Sequence, residues 1–328
     1  MPHCRAFASD TRTSEEKVTT GACIRSRPVL ALLFPGQGSQ RPGMGAPWRD
    51  HPSWAVVDAV ADATGRDVAA LLLDADAETL KATRNAQLAA FTLSAMILDA
   101  TRAAGVDLSA TVAAAGHSLG EYSALVAAGA LTLADGATLV AARGEAMQHA
   151  ADVGPGTMAA VLGLEPVKVA EACEGVKGAW VANDNAPGQV VVAGTEAGVA
   201  EASEAAKALG AKRVMPLSVG GAFHSPLMQP AQDMLDRALA TTTFSPTSIP
   251  VVANVDATPH TSGFADLLSA QLVSPVRWRE SLLALAGLGT ERTLELGPGS
   301  ELSGMVKRTL EGVERANVAT PDDLAKLS

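Results

Sequence analysis

The sequence predicts an α/β chain in which a small antiparallel domain interrupts a larger one built on a parallel sheet, and three observations carry that prediction. Val29 to Phe34, VLALLF, is a continuous apolar run of strand length, as a strand buried on both faces requires. Ala113 to Ser123, AAAGHSLGEYS, passes from an apolar run through a Gly-bounded turn into helix-compatible sequence. Between Gly156 and Val219 the elements alternate in the order β-α-β-β-α-β, the ferredoxin-like signature of a compact insertion.

Composition bounds the function before any motif is read. At 328 residues, 48% hydrophobic and 18% charged, the chain is long enough for one large domain carrying a smaller insertion. A net charge of -10 excludes a broad nucleic-acid surface, which needs clustered Lys and Arg. Apolar runs are broken by Asp99, Arg102 or Asp135 well before the roughly 18 residues a membrane span needs, so a soluble protein is expected. Cys4, Cys23 and Cys173 are widely spaced and form no metal-ligand pattern, which fits a reducing cytoplasm and no metal. Residues 1–27 are polar, without the apolar core of a secretory signal, and are read as a flexible N-terminal extension; His3 and Cys4 within it are solvated.

The elements follow in order. Strand Val29–Phe34 runs into Pro35-Gly36-Gln37-Gly38-Ser39-Gln40, which lacks the third glycine of a dinucleotide loop because Arg41 occupies that place. The loop's better use is to bring a backbone N–H beside another site. From Ser53 to Ala104, Trp54, Val57, Val60, Leu80, Leu88, Phe91, Ala95 and Leu98 recur at helical spacing. Thr111–Ala115 is the second strand, followed by the turn and a helix to Ala128, then a helix from Ala134 to Ala150. In the insertion, strands are expected at Thr157–Gly163, Ala179–Ala182, Gln189–Ala193 and Arg213–Leu217, with helices at Pro166–Cys173 and Glu196–Leu209. Asn183 to Gly188 reads as the loop between its two middle strands. A helix is expected to begin near Pro226, strands at Pro250–Ala253 and Arg292–Leu296, and helices around Phe264–Gln271, Glu280–Ala286 and Ser300–Leu310. The boundaries that result are a large domain over 28–155 and 218–316, an insertion over 156–217 and a C-terminal tail over 317–328.

Chemistry concentrates at the turn. A strand that bends sharply into a helix crowds its flanks, and Gly116 and Gly120 relieve that crowding while Ser118 stands at the apex. The helix N-terminus aims its free N–H groups at the same point, which suits an oxyanion on an acyl carbonyl. A Gly-rich turn whose serine merely caps a helix has the same spelling. His224, in Gly220-Gly221-Ala222-Phe223-His224-Ser225-Pro226, lies downstream of Ser118 in the order nucleophile then base. His117, inside the elbow, packs or orients rather than ionises, while His51, His149 and His260 have no supporting context. Arg143, among small and apolar neighbours, either snorkels to the surface or points its planar fork into the pocket to grip a carboxylate.

Seven runs taken together resemble the bacterial malonyl-CoA:acyl carrier protein transacylases: FPGQGSQ from Phe34, GHSLGEYSALVAAG from Gly116, RGEAMQ from Arg143, NAPGQVVVAG from Asn185, GAFHSPLM from Gly221, VANVDA from Val252 and ELGPG from Glu295. The resemblance covers Val29 to about Glu314 and implies an α/β-hydrolase-like large domain with an inserted ferredoxin-like small domain. It implies that Ser118 takes a malonyl group from malonyl-CoA as an ester and passes it to the thiol of acyl carrier protein, with His224 as base. It further implies an oxyanion hole from the backbone amides of Gln37 and Leu119, and Arg143 as partner of the malonate carboxylate. A backbone carbonyl at Gln271 stands where hydrolases carry an acid, with His117 in support. Phe223, before the base, goes with malonyl over methylmalonyl in related acyltransferases. No cofactor, metal, nucleic acid or membrane is expected, and the enzyme is expected to be a cytoplasmic monomer serving fatty acid biosynthesis. Lys212 with Arg213, and Lys307 with Arg308, are candidates to dock the acidic carrier protein. The alternatives are an acyltransferase of a polyketide or malonate decarboxylase system, and a thioesterase on the same fold, which would have no use for Arg143.

Overall fold

The computed structural model describes residues 27–327, so the expected extension, with His3, Cys4 and Cys23, lies outside the described residues apart from Arg27. Among the described residues there are ten strands, β1 (Leu30–Phe34), β2 (Thr111–Gly116), β3 (Thr157–Leu162), β4 (Ala179–Ala186), β5 (Gln189–Gly194), β6 (Arg213–Pro216), β7 (Val251–Val252), β8 (Pro259–His260), β9 (Arg292–Leu296) and β10 (Glu314–Val318). They form a six-stranded sheet in the order β10-β9-β1-β2-β7-β8 and a four-stranded sheet in the order β4-β5-β3-β6. In the large sheet every pair is parallel except β7 with β8.

The apolar run of β1 is explained by its central place. Leu30, Leu32 and Phe34 join the core on one face, against Leu88, Phe91 and Leu93 of the Thr83–Ala103 helix. Ala31 and Leu33 face the other way, against Trp278, Leu282 and Leu285 of the Trp278–Gly287 helix. The four-stranded sheet is antiparallel throughout, and its Pro166–Cys173 and Glu196–Ala208 helices cover one face through Val161, Val169, Val192 and Val199. Its other face, with Met158, Ala160, Ala182 and Val191, joins the main core, so the insertion is one wall of the same body.

The structure corrects several expectations. Asn183 to Ala186 belong to β4, which pairs with β5 down to Ala186 opposite Gln189, so the connection is only Pro187 and Gly188. The polar spelling misled because Asp184 and Asn185 are buried polar residues with specific partners: Asp184 receives three hydrogen bonds from the Arg279 guanidinium, two of them from a shared Nε–H. The described part of the expected tail, residues 317–327, does not stand apart. β10 reaches Val318 in register with Leu296, the Trp48 indole donates to the Ala319 carbonyl at 2.9 Å, and Thr320 with Asp323 caps a Pro321–Ala325 helix. The helical pattern expected over Ser53–Ala104 is present as four α-helices, separated at Gly65 (φ 65°), by the N-capping carboxylates of Asp67 and Asp76, and at Ala82.

Candidate active site

Between the end of β2 and the Gly120–Ala128 helix, only His117 to Leu119 make the turn. Ser118 takes φ 52°, a left-handed conformation that a residue with a Cβ adopts at a cost of about 1 kcal/mol or more. The flanking glycines make it possible. A Cβ on Gly116 would lie 1.9 Å from the Gly120 carbonyl carbon, and one on Gly120 would lie 2.0 Å from the Phe34 oxygen. Asn254, after β7, staples the bend from below: its side-chain oxygen accepts from the Ser118 N–H at 2.6 Å while its amide donates to the Gly116 carbonyl at 2.7 Å.

The strained backbone aims Ser118 Oγ at His224 Nε2, 2.7 Å away. The other ring nitrogen, Nδ1, lies 2.9 Å from the Gln271 carbonyl oxygen. A carbonyl only accepts, so Nδ1 carries the hydrogen and Nε2 offers its lone pair to the serine hydroxyl. Burial, and after it the charge of Arg143, pushes the His224 imidazole down to about 3, so it is neutral at pH 7. His224 is itself held at φ 58°.

Arg143 does not snorkel. On the Leu133–Val153 helix it is 1% exposed, because Gly144 lets that helix approach until a Cβ there would sit 2.8 Å from Arg84 Cα of the Thr83–Ala103 helix. Its Nη1 donates to Gln87 Oε1 at 2.8 Å, and its Nη2 to Ser118 Oγ at 3.0 Å and to Gln271 Oε1 at 2.9 Å. The guanidinium lies 5.5 Å from the centre of the Tyr122 ring, and its Nε has no partner. Among the described residues it forms no ion pair with a carboxylate. A buried cation with spare donors beside a nucleophile is a place for an anionic substrate group.

The loops that carry Gln37 and Leu119 meet because β1 and β2 are adjacent, with Phe34 opposite Gly116. The His117 N–H donates to the Phe34 carbonyl at 3.0 Å, and a Cβ on Gly36 would meet the His117 oxygen at 2.4 Å. Neither the Gln37 nor the Leu119 N–H donates to a protein acceptor among the described residues. His117 sits beside the site with its Nε2 2.8 Å from Asn185 Oδ1 and its ring against Trp278, and burial lowers its pKa. The structure thus gathers Ser118, His224, Arg143, Gln271 and His117 into one cluster flanked by the Gln37 and Leu119 amides.

A half-buried serine against a buried imidazole without an acid, an adjacent buried arginine and two loop amides without protein acceptors constitute an acyl-transfer geometry. Comparison with known proteins agrees. The profile of the family described as "Acyl transferase domain" matches residues 31–321. A malonyl CoA-acyl carrier protein transacylase of Bacillus subtilis is 41% identical over 303 residues, spanning 90% of this chain and 95% of that protein. The chain belongs to the malonyl-CoA–acyl carrier protein transacylase family. Among solved structures, an acyl-carrier-protein S-malonyltransferase from Burkholderia pseudomallei superposes with a TM-score of 0.87 at 40% identity, covering 90% of this chain and 98% of that one. A malonyl-transacylase in complex with its type II polyketide synthase acyl-carrier protein also reaches 0.87, at 36% identity over 91% of this chain and 98% of that one.

Within this transacylase fold, sequence reading missed three polar residues that frame the cluster: Gln87, Glu121 and Asn254. Glu121 follows the elbow at the start of a helix, where a carboxylate is ordinary. Asn254 lies in a quoted run but carried no assigned role, and Gln87 sits in an otherwise core-like helix. Their signal in sequence is only a polar residue at a core-facing position, which becomes legible once burial is known. Among the described residues no group of His, Cys, Asp and Glu could hold a metal ion.

Proposed function

We propose that the chain transfers a malonyl group from malonyl-CoA to the phosphopantetheine thiol of acyl carrier protein through an ester on Ser118. One observation supports this above the rest: Ser118 Oγ lies between a neutral base, His224 Nε2 at 2.7 Å, and a buried cation, Arg143 Nη2 at 3.0 Å. The hydroxyl proton passes to His224 Nε2 as Oγ attacks the thioester carbonyl, and the oxyanion forms between the Gln37 and Leu119 N–H groups. The C–S bond then breaks, and the departing coenzyme A sulfur takes the proton from His224. In the second half-reaction the carrier thiol gives its proton to His224, attacks the ester, and releases Ser118 Oγ, which recovers that proton.

Arg143 pairs with the free carboxylate of malonate, and the Gln87 and Gln271 oxygens hold the fork in place. An acetyl group would offer the buried guanidinium no counter-charge, so selectivity is electrostatic. Coenzyme A is a substrate here, and the chemistry needs no cofactor. The enzyme is read as a monomer working in the cytoplasm, as the family resemblance implies; among the described residues no helix is long and apolar enough to cross a membrane. Lys212, Arg213, Lys307 and Arg308 are exposed, as carrier docking requires. The polyketide-carrier likeness favours a second reading, in which the same chemistry supplies polyketide rather than fatty acid synthesis. Intact mass after brief mixing with malonyl-CoA, then with carrier protein, tests the proposal. An adduct absent in Ser118→Ala that moves to the carrier is expected; prompt free malonate would instead make the protein a thioesterase.

A further inference from the structure

Beneath the serine lies a carboxylate that the transfer chemistry does not use. Glu121, in the first turn of the Gly120–Ala128 helix, is 2% exposed. It makes no ion pair among the described residues. Its Oε2 accepts from the Asn254 backbone N–H at 2.9 Å and from Gln271 Nε2 at 2.8 Å. Gln271 is the hub of the cluster. Its amide nitrogen also donates to the Ser118 carbonyl at 3.0 Å, its side-chain oxygen accepts from Arg143, and its backbone oxygen accepts from His224.

We propose that Glu121 is a positioning residue for malonyl transfer: its carboxylate holds the Gln271 amide in the one orientation that turns an oxygen toward Arg143. A carboxylate can only accept and a guanidinium can only donate, so an amide bridging them is satisfied one way round. Reversed, it would set an NH2 group against Arg143 and an oxygen against both Glu121 and the Ser118 carbonyl, leaving three buried mismatches, so carboxylate and carbonyl fix the amide together. The carboxylate also supplies negative charge one amide away from the guanidinium. Arg143 therefore stays cationic in a dry site while its spare donors stay free for the substrate. Asn254 links the same carboxylate to the elbow, so one group braces the backbone of Ser118, the fork of Arg143 and the carbonyl under His224.

Geometry carries this inference; burial pushes the Glu121 carboxyl up to about 7, with the Gln271 and Asn254 hydrogen bonds and Arg143 opposing and Asp256 adding to the rise, so the carboxylate form of the brace predominates only above that pH. The ionisable neighbours are Arg143 from the Leu133–Val153 helix, Tyr122 from its own helix and Asp256 from the loop after β7.

The inference rests on the malonyl-transfer reading, and the test separates the two. Steady-state malonyl transfer to carrier protein is measured from pH 5 to 9 for the wild type, Glu121→Gln and Glu121→Asp. Glu121→Gln keeps the shape and an acceptor oxygen but loses the charge, and leaves the Ser118 carbonyl as the one acceptor-only group that orients the Gln271 amide. At pH 8 it is expected to lower kcat about tenfold with KM for malonyl-CoA moved less than about twofold, since Glu121 touches no substrate. The wild-type rate falls toward that of Glu121→Gln as the pH drops below 7, and the variant lacks this shoulder. Glu121→Asp, charged but one methylene shorter, falls between them. A folded Glu121→Gln with wild-type kcat and the same pH profile would overturn the positioning role while leaving malonyl transfer intact. If Glu121→Gln does not fold, a wild-type kcat in Glu121→Asp together with a wild-type profile flat from pH 6 to 8 overturns it equally. A wild type that forms no malonyl adduct would remove the transfer reading and this inference with it.

Discussion

Gly120→Ala adds one methyl group where β1, the loop after it and the elbow meet. The new Cβ would stand 2.0 Å from the Phe34 oxygen, 2.8 Å from its carbon and 2.9 Å from the Pro35 oxygen, all backbone. Reaching an ordinary contact of 3.4 Å requires the two segments to part by about 1.4 Å. The first casualty is the 3.0 Å hydrogen bond from the His117 N–H to that same Phe34 carbonyl. Overpacking costs about 1 to 3 kcal/mol and a broken buried hydrogen bond about 1 to 3 more, so a loss of roughly 3 to 4 kcal/mol is expected. In a chain of this size that lowers Tm by roughly 6 to 10 °C. The same parting moves the Gln37 N–H away from the Leu119 N–H, and a displacement near 1 Å costs about a hundredfold in rate. Thermal unfolding and the rate of adduct formation at Ser118 measure the two effects. A Gly120→Ala protein melting within about 2 °C of wild type, with its acylation rate within about threefold, would refute the argument that this contact sets the spacing of the two amides.

Two further outcomes follow from the site. Asn254→Ala removes the acceptor of the Ser118 N–H and the donor to the Gly116 carbonyl. It is expected to cost about 2 to 4 kcal/mol in urea unfolding and at least tenfold in acylation rate, and an unchanged rate would show that the left-handed Ser118 holds itself. The pH dependence of His224 is the second. With its folded pKa at about 3 against an ordinary value of 6.5, its contribution to stability is full above 6.5 and lost as pH falls toward 3, because the unfolded imidazole alone takes up the proton. The folded base stays neutral over the same range. Acylation by Glu121→Gln, which lacks the other titrating group, is expected to be flat from pH 8 to 5; a tenfold fall per unit below about 6.5 would contradict this.

How much of this was legible in the sequence varies with the kind of signal. The apolar run of β1 and the Gly-bounded serine were legible because each reflects a local demand, burial on both faces and room at a sharp bend. Pro166–Cys173 was placed to the residue, its ends marked by a proline and by the end of the apolar spacing. β10 was not read because only Val318 of its five residues is fully buried: it lies at the sheet edge, where ERANV resembles a surface segment. Asn183 to Ala186 were read as a loop because buried polar residues and loop residues are spelled alike.

The site divides in the same way. Ser118 and His224 stand in loops with a recognisable glycine context, His117 was read from its place in the elbow, and the resemblance decided Arg143 and added Gln37, Leu119 and Gln271 before any contact was known. Arg143 was ambiguous in the sequence itself, since surface and buried arginines share a helix pattern; Gly144, which lets two helices close over it, is what buries it. Glu121, Asn254 and Gln87 act through partners 133, 136, 138, 150 and 56 residues away, and no local pattern reports such contacts.

The central claim is that Arg143 reads the carboxylate of an acyl group carried by Ser118. The most direct measurement is the rate of adduct formation with malonyl-CoA and with acetyl-CoA, by intact mass, in the wild type and in Arg143→Ala. In the wild type malonyl is expected to outrun acetyl by about a hundredfold or more, the value of a buried charge pair against an unpaired cation. Arg143→Ala should abolish that preference while Ser118 still accepts acetyl. A malonyl preference that survives the loss of Arg143 would contradict the account.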